Sequence, residues 1–278
     1  MQKNKRMQAA MESLLTYGWA ILIMAVVLGI LYSLGVFNSV NFAPRAPPGS
    51  CAVSRSGGPG TTNFINLQGT CLNEMPKYVA QFNGASSYIT TPISGSSSSF
   101  TVSLWFEAKS SAEQFFFSNG AFASHFIAMG IASGYMCNDA SGSCIAGQPA
   151  VSTGIWYNYI ITYNGVALNS YLNSVPSGPI TTTLSPLATG AYIGAFSPST
   201  FFTNGYVADV QIYNTSLSQQ EVVALYQEGI GGAPQRLNNI VGWWPLNNNP
   251  NDYSGNLNNG QSTNVVYTAG WTNSYTPP

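Results

Sequence analysis

The side chains that could do chemistry in this chain of 278 residues are few and scattered. There is one histidine, His125, and no serine or cysteine nucleophile shares a recognisable neighbourhood with it and an acid, so nothing points to nucleophilic catalysis. The loop acids Asp139 and Asp252 have no acidic neighbour, and Asp209 falls inside a predicted strand. Calcium takes about six to eight oxygen ligands, usually several of them carboxylates, so no calcium site is expected. The four cysteines, Cys51, Cys71, Cys137 and Cys144, lack zinc-type C-x2-C spacing and have a single histidine for company, which argues against a metal site. They read as disulfides, with three pairings open. Proximity favours Cys51 with Cys71 and Cys137 with Cys144, the latter closing a Gly- and Asn-containing turn. Such bridges persist in oxidising compartments and so agree with export. Asn214-Thr215-Ser216 is the single N-glycosylation sequon and is expected to be exposed. No catalytic residue, metal or cofactor is expected.

Composition narrows the partners. Charged residues make up 6% of the chain, against about 25% in ordinary soluble domains. Lys3, Lys5 and Arg6 lie at the very start and no basic patch follows, so nucleic acid is excluded as a partner. From Ser13 to Pro44 no residue is charged, and Trp19 to Phe37 is apolar around a whole helical circumference. A helix of that kind has to be buried. Roughly 19 residues at about 1.5 Å each match a bilayer, with the basic residues on the cytoplasmic side. A secretory signal would end in an A-x-A-like site, and Tyr32 to Asn38 offers none, so the helix is expected to be retained. Pro44, Pro47 and Pro48 then break it.

The residues Lys5-Arg6-Met7-Gln8-Ala9-Ala10-Met11-Glu12-Ser13-Leu14-Leu15, running into the apolar helix, resemble the class III signal peptides of archaeal type IV pilins. The resemblance implies that a prepilin peptidase cuts between Met7 and Gln8, leaving Glu12 as the fifth mature residue. Met7 stands where that family usually has glycine or another small residue. An ionisable group entering an apolar helix costs several kcal/mol without a partner. The freed amino terminus of a neighbouring subunit would be such a partner for Glu12 and would set axial register in a filament.

Beyond Cys71, short alternating segments separated by Gly, Asn, Ser and Pro predict an antiparallel sandwich of two stacked sheets. The clearest is Phe100 to Glu107, with Phe100, Val102, Leu104 and Phe106 on one face. Further strands are expected at Tyr78 to Phe82, Ser87 to Thr91, Phe115 to Ser118, Phe126 to Ile131, Tyr157 to Tyr163, Asn169 to Leu172, Ala191 to Ile193 and Gly205 to Tyr213. Ser218 with Glu221 makes a capping box, Val222, Leu225 and Tyr226 have helical spacing, and Gly229 should end the helix.

Phe82 to Tyr88, Phe100 to Trp105, Trp156 to Gly165 and Gly205 to Val222 are together similar to the laminin-G, or concanavalin A-like, jelly-roll family, over roughly 77–232. Leu237 to Leu246, Asp252 to Gly255 and Val265 to Tyr267 resemble the same family's opening block. Ile240 to Leu246 and Asn264 to Tyr267 are read as added strands returning to the same sandwich, with acceptance by a partner subunit as the open alternative. The resemblance implies glycan binding through aromatic platforms with a few amides, although strand aromatics are more often core. Relatives that hydrolyse glycans use two carboxylates across a cleft. Here Glu107 stands alone on its strand, Glu113 lies in a polar loop, and Ser87 occupies a position where the family often has an acid.

The expected fold is therefore a long N-terminal α-helix followed by an all-β antiparallel jelly-roll sandwich with one short helix. Residues 1–7 would be the leader, 8–40 the hydrophobic helix, 41–76 a Pro/Gly-rich stem and 77–278 the head. The expected function is a pilin subunit, spanning the cytoplasmic membrane as a precursor and then polymerising outside the cell. Its partners would be identical subunits, the prepilin peptidase and assembly machinery, and surface glycans. The alternatives are a lectin-like module anchored in the membrane without polymerisation, or an archaellin.

Overall fold

The computed structural model describes residues 17–30, 51–71, 75–93, 97–119, 127–139, 148–187 and 190–278. The chain divides into two units, Met1–Pro44 and Arg45–Pro278. In the first, residues 17–30 are helical and all exposed. These 14 residues rise about 21 Å, which corrects the expected long helix over 8–40, whose remaining residues lie outside the described ones. Among the described residues no helix is long and apolar enough to cross a membrane.

The second unit is an antiparallel jelly roll. Its larger sheet has eight strands, β3 (Val79–Asn83), β5 (Phe100–Ala108), β9 (Trp156–Tyr163), β10 (Ala167–Leu172), β11 (Val175–Thr181), β13 (Asn204–Tyr213), β14 (Ile240–Trp244) and β16 (Val266–Thr268). They run in the order β11-β10-β9-β5-β13-β3-β16, with β14 also on β13. The smaller sheet has six, β4 (Tyr88–Thr91), β6 (Gln114–Asn119), β7 (Ile127–Ala132), β8 (Tyr135–Asp139), β12 (Ala191–Ile193) and β15 (Gln261–Thr263), in the order β15-β4-β12-β6-β7-β8. The hairpin of β1 (Cys51–Arg55) and β2 (Ile65–Gly69) stands beside them.

Alternation along the strands builds the core. Phe100, Val102, Leu104 and Phe106 of β5, with Tyr159 and Ile161 of β9 and Ile212 of β13, meet Ile89, Phe116, Phe117, Met129 and Ile193 of the facing sheet. The opposite face of the larger sheet is covered as well, which no period of two could reveal. Ile160, Tyr171 and Tyr213 on that face pack against Cys51 and Val53 of the hairpin, Val222 and Leu225 of the short helix, and Trp243. Trp105, Trp156 and Ala208 pack there against Ile230 and Trp271. All nine residues of β5 are consequently buried.

The short helix, Gln219–Gln227, starts as expected: Ser218 Oγ accepts from Glu221 N while Glu221 takes a hydrogen bond back from Ser218 N at 2.8 Å. Gly229, at φ 76°, follows its last turn. The C-terminal segment returns to the same head, with β14 on β13, β16 on β3 and β15 on β4. One edge of β13 is thus shared, Asn204–Val207 pairing with β3 and Val210–Tyr213 with β14. Asp209 sits at the changeover with φ 48°, its N–H donating to Pro245 O.

Residues 51–71, read from sequence as part of the stem, form a hairpin closed by the Cys51–Cys71 disulfide and docked on the head. Val53 N–H donates to Tyr253 O at 2.9 Å, and the Arg55 guanidinium donates to the carbonyls of Ser254, Thr61, Leu237 and Ile240. All but the bond to Thr61 are long-range and tie the hairpin to the C-terminal segment. Cys137 is buried and also disulfide-bonded, while Cys144 lies outside the described residues.

Candidate functional site

The sequence singled out acids and, through the resemblance, aromatic platforms, and the structure turns most of the acids and the head's tryptophans inward. Asp252 is buried, with Oδ1 accepting from Trp243 N and Ser254 N, and Oδ2 from Ser254 Oγ and Asn258 N, all at 2.8–2.9 Å. Its neighbouring donors are protein groups, so it holds the loop over 252–258 in shape. Asp209 is buried too, accepting from the Trp243 indole at 2.8 Å and from Gln211 Nε2. Gln211 in turn accepts from the Tyr213 hydroxyl at 2.5 Å, and burial pushes that phenol far above its ordinary pKa. Glu107 lies buried on the outer face of the larger sheet, accepting from Ser274 Oγ, and Glu113 is exposed in its loop. Ser87 closes the turn after β3 by donating to Asn83 Oδ1 at 3.0 Å. Among the described residues no group of three or more His, Cys, Asp or Glu could hold a metal ion. Met7, Gln8, Glu12 and His125 lie outside the described residues, as does the side chain of Asp139.

The tryptophans of the head, Trp105, Trp156, Trp243, Trp244 and Trp271, are at most 4% exposed, so none presents a ring to solvent. Four of the indole N–H groups donate within the head: Trp156 to Trp271 O, Trp243 to Asp209, Trp244 to Asn258 O and Trp271 to Pro76 O. Partly exposed aromatics occur instead on the outer face of the smaller sheet. There Tyr88 packs against Tyr192 and Phe202 with ring centroids 6.2 and 6.4 Å apart.

A concave site does exist at the seam between the hairpin and the C-terminal segment. It is an open pocket of about 230 Å³ lined by Arg55, Gly60, Thr62, Asn214, Asn238, Ile240, Val241, Asn256 and Asn258. Two sets of bonds make its walls rigid. Asn256 donates from Nδ2 to Ile240 O and Val241 O and accepts from Gly60 N, while Asn258 Nδ2 donates to Val241 O. Arg55 supplies the only formal charge among the lining residues, and its donors are engaged with the four protein carbonyls; burial lowers its pKa and the Asp252 carboxylate works against that. What the pocket offers a visitor is therefore neutral. The Thr62 hydroxyl, the Asn238 amide and Asn214 Nδ2 line it without a hydrogen bond to any described residue.

Two apolar residues close to the lining residues in sequence are exposed in an unusual backbone state. Phe64, two positions beyond Thr62, has φ 55° and is 85% exposed; Leu257, between Asn256 and Asn258, has φ 63° and is 67% exposed. The left-handed region costs such side chains about 1–3 kcal/mol, and strain of this kind concentrates at functional sites. Sequence reasoning missed the pocket because Arg55, Thr62, Asn214, Asn238 and Asn256 come from four separated stretches and share no local motif.

The two-sheet topology defines a lectin-like jelly roll. A model of the concanavalin A-like lectin/glucanases superfamily matches residues 83–223, half of the chain, and the chain belongs to that superfamily. Of the pocket's lining only Asn214 falls within the matched stretch. No curated protein sequence matches. Among solved structures, a Bacteroides ovatus protein proposed to bind carbohydrate superposes with a TM-score of 0.57 at 13% identity, covering 74% of this chain and 67% of that one. A heptameric SAP-like pentraxin from Limulus polyphemus gives 0.50 at 15% identity, covering 70% and 95%. At these identities the likeness concerns the fold.

Proposed function

We propose that the head is a glycan-binding module displayed outside the cell, and that the N-terminal segment delivers it as a subunit of a pilin-like filament. The pocket carries the binding reading: neutral amide and hydroxyl groups without a described partner, held on rigid walls. Sugars are neutral polyols whose hydroxyls both donate and accept, so Thr62 and Asn238 suit them and an anionic ligand would find no free cation among the lining residues. Membership of a lectin and glucanase superfamily supports the same substrate class. No paired carboxylates flank the pocket, so the reading is binding without hydrolysis.

The filament reading rests on the N-terminal residues. The helical residues 17–30 expose Trp19, Ile21, Leu22, Ile23, Val27 and Leu28, and a helix apolar on all sides needs a cover. Copies of itself supply one. The precursor would sit in the cytoplasmic membrane, lose residues 1–7 to a prepilin peptidase, and pair Glu12 with the new amino terminus of a neighbour. Binding of the purified full chain to an array of neutral oligosaccharides tests the head. The double variant T62A/N238A should weaken binding at least about tenfold, or roughly 1.4 kcal/mol, while Y192A keeps it. The reverse pattern would move the site to the outer face of the smaller sheet. Electron microscopy of shed surface material with N-terminal sequencing tests the filament. Protein found only in membranes with Met1 to Met7 retained would make the chain an anchored binding module.

A further inference from the structure

The sequon asparagine is itself part of the pocket wall, which joins two features that the sequence presents as unrelated. Asn214 is exposed in the turn between β13 and the short helix, and its backbone is pinned on both sides: N donates to Asn239 O at 2.9 Å and O accepts from Ser97 Oγ at 3.2 Å. Its side chain is oriented as well, because Oδ1 accepts from Asn239 Nδ2 at 2.9 Å. That leaves Nδ2, the atom to which an N-linked sugar attaches, as the side chain's one polar atom without a described partner. The hydroxyl of Ser216, which completes the sequon, also makes no hydrogen bond with the described residues.

We infer that Asn214 is N-glycosylated and that the first sugar of its glycan occupies the pocket. This rests on the reading that the pocket accepts sugar, and it adds a consequence: the chain's own glycan and an external one compete for the same place. In the modification, Asn214 Nδ2 attacks the anomeric carbon of an oligosaccharide carried on a polyprenyl phosphate. The new N–C bond forms, the C–O bond to phosphate breaks, the lipid phosphate leaves with the electron pair, and the amide nitrogen gives up one proton. The pocket's volume of about 230 Å³ is below the range of about 300–1,000 Å³ that encloses drug-sized ligands, so it suits a sugar ring more than an extended chain. Seated there, the ring would reach Thr62 and Gly60 on the hairpin side and Asn238 and Asn256 on the C-terminal side, fastening together the two segments that Arg55 already bridges.

The test uses the full chain purified from its native host beside S216A, which removes the sequon and leaves Asn214 in the wall. Peptide mass spectrometry should find a glycan on Asn214 of the wild type and none on S216A. Amide exchange over 58–62 and 256–258 should be about tenfold faster in S216A, because a seated sugar holds both segments closed. An unmodified Asn214 in the native protein overturns the inference. So does a glycosylated wild type whose exchange at those residues equals that of S216A, since its glycan then lies outside the pocket. A panel of neutral hexose and N-acetylhexosamine oligosaccharides separates this from the binding reading: S216A that binds none of them while losing protection sinks the external ligand and supports the chain's own glycan as occupant.

Discussion

Six tryptophans divide between the two units of this chain in opposite ways. Trp19, in the helical residues 17–30, is 64% exposed, while the five in the head are at most 4% exposed and four of them donate their indole N–H to groups of the head. The head has satisfied its own hydrophobic demand and the helix has not. A helix whose whole circumference is apolar can lower its free energy only by meeting lipid or another protein surface, at about 25 cal/mol per Å² covered. The head, by contrast, buries its tryptophans in its own core, and the pocket lining it leaves open is chiefly amides and hydroxyls.

The largest expected break in that contrast comes from the helix. Ile23→Lys should abolish polymerisation, read as loss of sedimentable filaments, and leave the melting temperature of the head unchanged. A matching drop in head stability would show that the two units depend on each other. Next comes Trp243→Ala in the head, which removes a large buried ring together with the indole bond to Asp209. We expect about 3–5 kcal/mol of destabilisation by denaturant titration, with unaltered filament formation if the variant stays folded.

Asp252→Ala should cost about 3 kcal/mol, since it deprives buried Trp243 N and Asn258 N of their acceptor and frees the loop that shapes the pocket. Glycan binding should fall with it. Removing the Cys51–Cys71 bridge by C51S/C71S should cost about 2–3 kcal/mol through the loop it closes. That variant sharpens the comparison, because the hairpin would loosen from the head and weaken binding without touching the N-terminal helix.

The smallest effect concerns the two ends of the short helix, where two glutamates shift in opposite directions. Glu221 is held down to about 2, first by the hydrogen bond from Arg236 and then by Ser218. Its folded pKa is depressed, so its contribution is present above about pH 4.5 and fades as pH falls toward 2. Glu228 is exposed along its length, but its carboxyl is packed beside Gln235, and burial raises it to about 6. Its folded pKa is raised, so its contribution is complete below about pH 4.5 and is lost as pH rises through 6. Both groups face solvent, so each should be worth under about 1 kcal/mol. Urea titrations at pH 3, 5 and 7 should show E221Q flattening the acid limb and E228Q the limb between pH 5 and 7.

Much of the sandwich was legible in the residues themselves. The alternation of Phe100, Val102, Leu104 and Phe106 announced a strand with one core face, and Ser218 with Glu221 announced a helix start, because both signals are local and repeat at the spacing of the element. That Ile240 to Leu246 returns to the same head rather than to a partner subunit was settled by the pairing of β14 with β13. The other face of β5 was not legible. Thr101, Ser103 and Trp105 alternate with the core face and carry no signal of what lies over them, yet the hairpin, the short helix and the C-terminal segment cover that side of the sheet, and coverage is a property of chain packing.

The sequence by itself determined many of the sandwich strands, that the first forty or so residues carry an apolar stretch foreign to a soluble head, and that Asn214 can be recognised as a sequon. Only the tertiary structure decided that 51–71 belongs to the head, that Asp209 and Asp252 serve the fold, and that Arg55, Thr62, Asn214, Asn238 and Asn256 face one pocket. The reason is physical: local periodicity follows from backbone geometry over a few residues, whereas a pocket is made where distant segments are drawn together by burying a shared core.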